Sequence, residues 1–198
     1  MSFPIANALT VARIAMIPLV VILFYLPYSW ASPAAASVFI LAALTDSLDG
    51  YLARKLGQTS ALGAFLDPVA DKLMVATALI LLVSHEPPAL EFFRFNPQVL
   101  ITVTAAVIVG REITISALRE WMAEMGARGK VAVSSMGKLK TIFQMTGLSM
   151  MLFRSDVWFL PAFEIGVYCL VAAAALTLWS MIVYLKAAWP DLMRSGTR

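Results

Sequence analysis

The chain has 198 residues, of which 61% are hydrophobic and only 14% are charged. A soluble globular domain carries about a quarter charged residues, so this composition excludes an ordinary soluble domain and indicates lipid as the main solvent. The single cysteine, Cys169, cannot form an internal disulfide, which argues against redox chemistry. The net charge of +3 says less than the positions of the charges.

Long apolar runs predict an all-α, polytopic membrane protein with six transmembrane helices. No charged residue occurs in 14–45 or in 165–185, and either run is long enough to cross a bilayer. We expect one membrane domain over 1–198, with a turn at 27–33 and a break at Glu86-Pro87-Pro88 followed by a segment that is amphipathic at best. The helices are expected at about 9–26, 34–56, 63–84, 99–122, 136–153 and 163–186.

The basic residues predict the orientation of these helices. Six crossings place both termini on one side, and of the fifteen Lys and Arg residues only Arg94 and Arg154 fall on the other side. Because cytoplasmic loops carry an excess of Lys and Arg, we expect both termini to be cytoplasmic. The only histidine, His85, falls on the outer side and is interpreted as a loop residue.

Four aspartates lie at the inner ends of the predicted second and third helices: Asp46, Asp49, Asp67 and Asp71. On each helix the two aspartates are three or four residues apart and therefore share a face. Gly50 and Ala53 lie on the face of the first pair and leave room for a ligand. The link between the two helices is short, which predicts that they are antiparallel neighbours and that the four carboxylates converge.

Carboxylates gathered in a low dielectric require cations. Oxygen ligands suit Mg²⁺, Mn²⁺ or Ca²⁺, and two ions about 3.5–4 Å apart are common in phosphate chemistry. Of the four, Asp71 has the most freedom to act as a base. One alternative is that the acids form helix-end salt bridges with Arg54, Lys55 and Lys72. Another is a small cation transporter, although the apolar outer halves of the spans argue against a pathway for ions.

The motif Asp46-x₂-Asp49-Gly50-x₂-Ala53-Arg54-x₈-Gly63-x₃-Asp67-x₃-Asp71 is similar, at every fixed position and spacing, to the signature of the CDP-alcohol phosphotransferases. The resemblance implies that an alcohol attacks the lipid-side phosphorus of a CDP-activated lipid and that CMP leaves. It implies two Mg²⁺ or Mn²⁺ ions held by Asp46, Asp49, Asp67 and Asp71, with Asp71 also the base toward the acceptor hydroxyl. It implies a CDP site framed by Asp46, Gly50, Ala53, Arg54 and Gly63.

Segments 7–13, 111–121 and 131–141 extend the resemblance over nearly the whole chain. They are similar to bacterial family members that use CDP-diacylglycerol and sn-glycerol 3-phosphate to make phosphatidylglycerophosphate. The resemblance therefore implies a multi-pass protein of the bacterial cytoplasmic (inner) membrane, surrounded by membrane lipids, with a homodimer expected and no nucleic-acid partner. Inositol phosphate, serine or phosphatidylglycerol as the acceptor are the alternatives within the family.

A basic cluster at the inner leaflet agrees with an anionic acceptor. Its members, the predicted acceptor phosphate ligands, are Arg111, Arg119, Lys138 and Lys140. Glycerol 3-phosphate is a small dianion and needs several fixed cations, whereas the alternative explanation is the general excess of inner positive charge near anionic lipids. Arg111 follows a long apolar run and is expected to lie deepest. Near the N-terminus, Asn7, Thr10 and Arg13 are either contacts to the CDP phosphates or a helix cap and interface anchor.

Overall fold

The computed structural model describes residues 5–56, 61–88, 96–125, 135–155 and 160–195, which form six α-helices. This confirms the predicted all-α fold. The predicted break at 86–88 is present, whereas the segment expected after it falls in 89–95, outside the described residues. The helices are α1 (Ile5–Tyr25), α2 (Ala31–Leu56), α3 (Ala61–Val83), α4 (Pro97–Glu124), α5 (Ser135–Phe153) and α6 (Ala162–Ser195).

Three helices extend by three residues or more beyond their predicted limits. α1 begins at Ile5 and not at 9, α2 begins at Ala31 and not at 34, and α6 continues to Ser195 and not to 186. Pro33 falls in the first turn of α2, where a missing N–H removes no helical hydrogen bond. α6 continues past its apolar run because exposed polar residues such as Lys186 can be solvated there. Hydropathy therefore marks the apolar part of a helix and not its full length.

Polar side chains lie inside this bundle and large apolar side chains lie on its surface. The buried polar set is Asn7, Thr10, Arg13, Thr104, Arg111, Lys140, Gln144, Glu164, Thr177 and Ser180. The exposed apolar set includes Ile22, Phe65, Ile80, Ile113 and Trp179. Water disfavours extended apolar surface, whereas lipid solvates it and drives ionisable groups inward. This arrangement indicates a membrane protein.

Three of the helices are long and apolar enough to cross a membrane, judged by length and composition in the described residues. They are Asn7–Tyr25, Pro97–Glu124 and Ala162–Trp189. α2 contributes a shorter apolar stretch, Ala31–Asp46. The described part of the bundle thus contains helices that are long and apolar enough to cross a bilayer.

α1 joins the two helices that carry the predicted aspartates. It packs along both α2 and α3, whereas α2 and α3 touch each other at few points in the described residues. The close pairing of α2 with α3 that the short link predicts is therefore not what holds them together in this part of the chain. A short link brings two helix ends near each other, but it does not decide which third helix packs between the remaining turns.

α5 and α6 pack closely against each other at two glycines. A Cβ placed on Gly147 would stand 2.9 Å from the Gly166 carbonyl oxygen, and a Cβ on Gly166 would stand 2.9 Å from that of Gly147. Small residues allow helix backbones in membranes to pack at short distance. α4 packs on α6, and α5 packs on α2. The α5–α6 pair therefore connects α4 with α2.

Gly147→Ala is expected to destabilise the bundle, because its methyl group cannot fit without moving the Gly166 carbonyl. Overpacking of this kind costs about 1–3 kcal/mol of unfolding free energy. Gly110→Ala is the matched control, since a Cβ there meets nothing within 4 Å and alanine favours a helix over glycine by up to about 1 kcal/mol. Chemical unfolding in mixed detergent micelles measures both, and equal stability of the two variants would contradict the close contact.

Candidate active site

One face of α1 contacts an aspartate on each of its two neighbours. Thr10 Oγ1 donates a hydrogen bond of 2.6 Å to Asp67 Oδ1 on α3. Arg13 Nη1 donates a hydrogen bond of 2.7 Å to Asp46 Oδ1 on α2. Because Thr10 and Arg13 are three residues apart, they lie on the same side of α1. This face of α1 therefore orients the carboxylates of both helices.

In the ion pair of Arg13 with Asp46, the arginine is buried and the aspartate is partly exposed to solvent. Arg13 is 1% exposed, whereas the Asp46 side chain keeps 39% of its surface. A guanidinium removed from solvent is strongly destabilising without a carboxylate beside it. A carboxylate has two oxygens and about four acceptor positions, so the contact with Arg13 uses only part of its capacity. Asp46 can therefore stay paired with Arg13 and still bind a ligand.

Asp71, one turn after Asp67, lines a cavity of about 210 Å³ between α3, α4, α5 and α6. The volume lies below the roughly 300–1,000 Å³ of pockets for drug-sized ligands, so it suits a small polar molecule. Its walls carry more charged and polar side chains than apolar ones. They are Asp71, Lys72, Val75, Arg111, Glu112, Arg119, Lys140, Thr141, Gln144, Met145 and Tyr184.

Glu112 holds two buried cations of this cavity next to each other. Arg111 Nη1 donates to Glu112 Oε1 at 3.1 Å, and Lys140 donates to the same oxygen. Arg111 Nη2 also donates to Ser180 Oγ at 3.1 Å. Arg111 and Lys140 are 8% and 6% exposed, so Lys140 is at least as buried as Arg111. The shared carboxylate offsets the repulsion between a guanidinium and an ammonium that water does not screen.

Tyr184 on α6 contacts two arginines of α4. The guanidinium carbons of Arg111 and Arg119 are each 5.9 Å from the centre of the Tyr184 ring. Cations at this distance are attracted to the face of an aromatic ring. Arg111 is buried and Arg119 is exposed. The ring therefore contacts one arginine inside the cavity and one at its opening.

Asp71 connects the α1 contacts to the basic cavity. Its carboxylate interacts electrostatically with Asp46 and Arg13 on one side and with Glu112 and Lys140 on the other. The charge on Asp71 is therefore coupled both to the groups that α1 contacts and to the groups of the cavity. Lys72, the next residue, also lines the cavity and donates to Ser116 on α4.

The structure brings together most of the predicted site residues that it describes. Arg13, Asp46, Thr10 and Asp67 form the contacts of α1, and Asp71, Arg111, Arg119 and Lys140 line the cavity. Asn7 and Gly63 are buried as well. The predicted residues that fall outside the described side chains are Asp49, Gly50, Ala53, Arg54 and Lys138.

The metal site stays a prediction. Among the described residues, no three Asp, Glu, His or Cys side chains form a group that could hold a metal ion. The predicted ligand Asp49 is not among the side chains described. The donor chemistry of the others fits a hard cation, because Asp46 and Asp67 offer carboxylate oxygens oriented by Arg13 and Thr10.

Sequence reasoning missed Gln144 and Tyr184, which line the cavity, and Ser180, which accepts a hydrogen bond from Arg111. A signal for each existed in the spacing. Gln144 follows Lys140 by four residues, and Ser180 and Tyr184 are four apart in a run without charges. Polar groups at helical spacing in an apolar span share a face that turns away from lipid.

Comparison with known proteins agrees with this arrangement. The family model of the CDP-alcohol phosphatidyltransferases matches residues 3–183. The chain belongs to this family. The signature aspartates that the structure describes therefore stand in the region that the family shares.

Curated relatives are similar over nearly the whole chain. A protein of Salmonella choleraesuis (strain SC-B67) is 47% identical over 193 residues, covering 98% of this chain and 99% of the relative. A protein of Escherichia coli (strain K12) has the same identity and coverage. Both are named CDP-diacylglycerol–glycerol-3-phosphate 3-phosphatidyltransferase.

Glu112→Gln is expected to lower the unfolding free energy by about 1–3 kcal/mol, because two buried cations lose their shared charge. Adding Lys140→Met should recover part of this loss, since Arg111 then no longer faces a second buried cation. Glu120→Gln, on the exposed side of α4, is the control. Unfolding in mixed micelles measures all of these variants. If Glu112→Gln matches the control, the shared carboxylate contributes nothing to stability.

Proposed function

We propose that the chain transfers the phosphatidyl group of CDP-diacylglycerol to sn-glycerol 3-phosphate, giving phosphatidylglycerophosphate and CMP. The family membership and the names of the relatives support the reaction class and the two substrates. The observation that carries the proposal is the position of Asp71. It lines a cavity rich in cations and interacts electrostatically with the aspartate that Arg13 orients.

The basic side chains favour an anionic acceptor. Arg111 and Lys140 are buried in the cavity wall, and Arg119 lies at its mouth. Hydrogen bonds from charged donors to a phosphate are about twice as strong as neutral ones. A cationic acceptor such as choline would be repelled by the same groups. Lys138, two residues before Lys140, is proposed as a further phosphate ligand.

The proposed chemical step is a substitution at phosphorus. A primary hydroxyl oxygen of the acceptor forms a bond to the lipid-side phosphorus, and the bond from this phosphorus to the oxygen of CMP breaks. Asp71 accepts the hydroxyl proton, which a carboxylate within hydrogen-bond reach can do. The acceptor phosphate, bound by Arg111 and Lys140, stays outside the bond changes and fixes the orientation of the hydroxyl.

Divalent cations are proposed as cofactors, with two Mg²⁺ or Mn²⁺ ions held by Asp46, Asp49, Asp67 and Asp71. When bound, such ions neutralise the diphosphate and stabilise the charge that develops on the leaving CMP. Thr10 and Arg13 act as orienting groups for two of these ligands, since each donates a hydrogen bond to one carboxylate. Gly50, Ala53, Arg54 and Gly63 are proposed, together with Asp46, to surround the CDP group.

The proposed setting is the bacterial cytoplasmic (inner) membrane. All six helices would cross it as one domain over 1–198, with both termini and the active site on the cytoplasmic side. The excess of Lys and Arg on the side of the termini supports this orientation. A homodimer is part of the same proposal and follows from the family resemblance.

Release of CMP from CDP-diacylglycerol by the purified protein tests the reaction. Glycerol 3-phosphate should support release, EDTA should stop it, and added Mg²⁺ or Mn²⁺ should restore it. Release with inositol phosphate, serine or phosphatidylglycerol, but not with glycerol 3-phosphate, would show that the acceptor is wrong. Failure to release CMP with any acceptor would reject the transferase and leave a cation transporter as the alternative.

Asp71→Asn is expected to lower kcat by at least about 100-fold, because an amide cannot accept the hydroxyl proton. The variant keeps the size of the side chain, so insertion into the membrane and the melting temperature should change little. Glu124→Gln, an exposed change on α4, is the control for expression and assay. Normal turnover by Asp71→Asn would show that another group accepts the proton.

A further inference from the structure

Gln144 is a buried amide that the proposed mechanism does not use. It lies one turn after Lys140 on α5, lines the same cavity and is 5% exposed. Its Oε1 atom is buried and has no hydrogen-bond partner among the described residues. A buried acceptor without a donor is destabilising and rare in folded proteins. A ligand that supplies a donor would relieve this.

The other walls of the cavity determine what that donor can be. The donors Arg119, Thr141 and Tyr184 also line it, but none of them is hydrogen-bonded to this oxygen. Val75 and Met145 offer no donor. The cations Arg111 and Lys140 donate to Glu112 and not to Gln144. Their positive charge attracts an anionic ligand. At neutral pH a phosphate monoester is largely deprotonated, so it presents acceptors and not donors to an amide oxygen. The donor that suits Gln144 is therefore a hydroxyl group of the ligand.

We propose that Gln144 is a specificity-determining residue that accepts a hydrogen bond from the secondary hydroxyl of the acceptor. This inference rests on the proposed function. Three kinds of group in the cavity then match the three polar groups of glycerol 3-phosphate. The cations bind the phosphate, Asp71 faces the attacking primary hydroxyl, and Gln144 binds the hydroxyl between them.

The assignment explains how a small cavity can distinguish a polyol phosphate from other small phosphate esters. The cations alone attract any phosphate monoester, because a point charge carries no information on the carbon chain. A site built to bind a substrate hydroxyl disfavours the analogue that lacks it, since its own polar group stays unpaired. Gln144 thus provides selection for the acceptor that charge does not provide.

The test compares two acceptors that differ only in this hydroxyl. The probes are glycerol 3-phosphate and 3-hydroxypropyl phosphate, each with CDP-diacylglycerol, and the readout is the ratio of their kcat/KM values for CMP release. Wild type should prefer glycerol 3-phosphate by about 10- to 100-fold, the usual effect of leaving one buried polar group unpaired. Gln144→Met, which keeps the length of the side chain, should reduce this ratio to about 1.

Gln98→Met is the matched control. Gln98 also has a buried Oε1 without a partner in the described residues, but it lies at the start of α4 and bonds to the Val83 carbonyl through Nε2. Its replacement should leave the acceptor ratio at the wild-type value. Because the ratio is taken within each variant, a loss of folded protein does not alter it.

Two results would overturn the assignment of Gln144: an unchanged ratio in Gln144→Met, or a wild type that uses both acceptors equally well. If Gln144→Met does not fold, Gln144→Asn decides instead, since withdrawing the oxygen by one methylene should also reduce the ratio and an unchanged ratio would reject the role. Failure of the proposed function looks different, because wild type would then release no CMP with glycerol 3-phosphate at all.

Discussion

The pairing of buried charges between helices is the constraint on which this site depends. Arg13 is almost fully enclosed, and in an apolar bundle its guanidinium would strongly destabilise the fold without the carboxylate of Asp46 beside it. Arg111 and Lys140 are buried cations as well, and both form an ion pair with Glu112. The pair of Arg13 with Asp46 joins α1 to α2, and that of Lys140 with Glu112 joins α5 to α4. The charges proposed to serve the substrates therefore also fix how the helices pack.

The arrangement separates two kinds of charge within one site. Acidic groups gather where α1 meets α2 and α3, and most of the basic groups gather between α4, α5 and α6. The proposed reaction must bring two anions together, a lipid diphosphate and a phosphate ester. Separate regions allow each anion to be neutralised by its own partners, by cations bound to carboxylates on one side and by basic side chains on the other. Asp71 stands where the two regions meet.

Much of this could be predicted because it depends on local spacing. Apolar runs predict the six helices, and the intervals between the aspartates predict which of them share a helix face. Contacts between distant segments could not be predicted in the same way. No pattern in the sequence indicates that Thr10 donates to Asp67, or that Ser180 on the last helix contacts Arg111, because these contacts depend on how whole helices pack. Ser180 and Tyr184 could not be predicted from hydropathy either, because they lie in the apolar run of α6. An average over the whole span does not reveal a polar face on one side of the helix.

The glycine contact between α5 and α6 bears on how a two-chain lipid reaches a site enclosed by helices. Parting these two helices would break backbone packing built around Gly147 and Gly166. α2 and α3, by contrast, touch little in the described part of the chain and are each attached to α1. α1 bridges α2 and α3 through Thr10 and Arg13. An acyl chain would therefore approach the aspartates from a side of the bundle other than the α5–α6 contact.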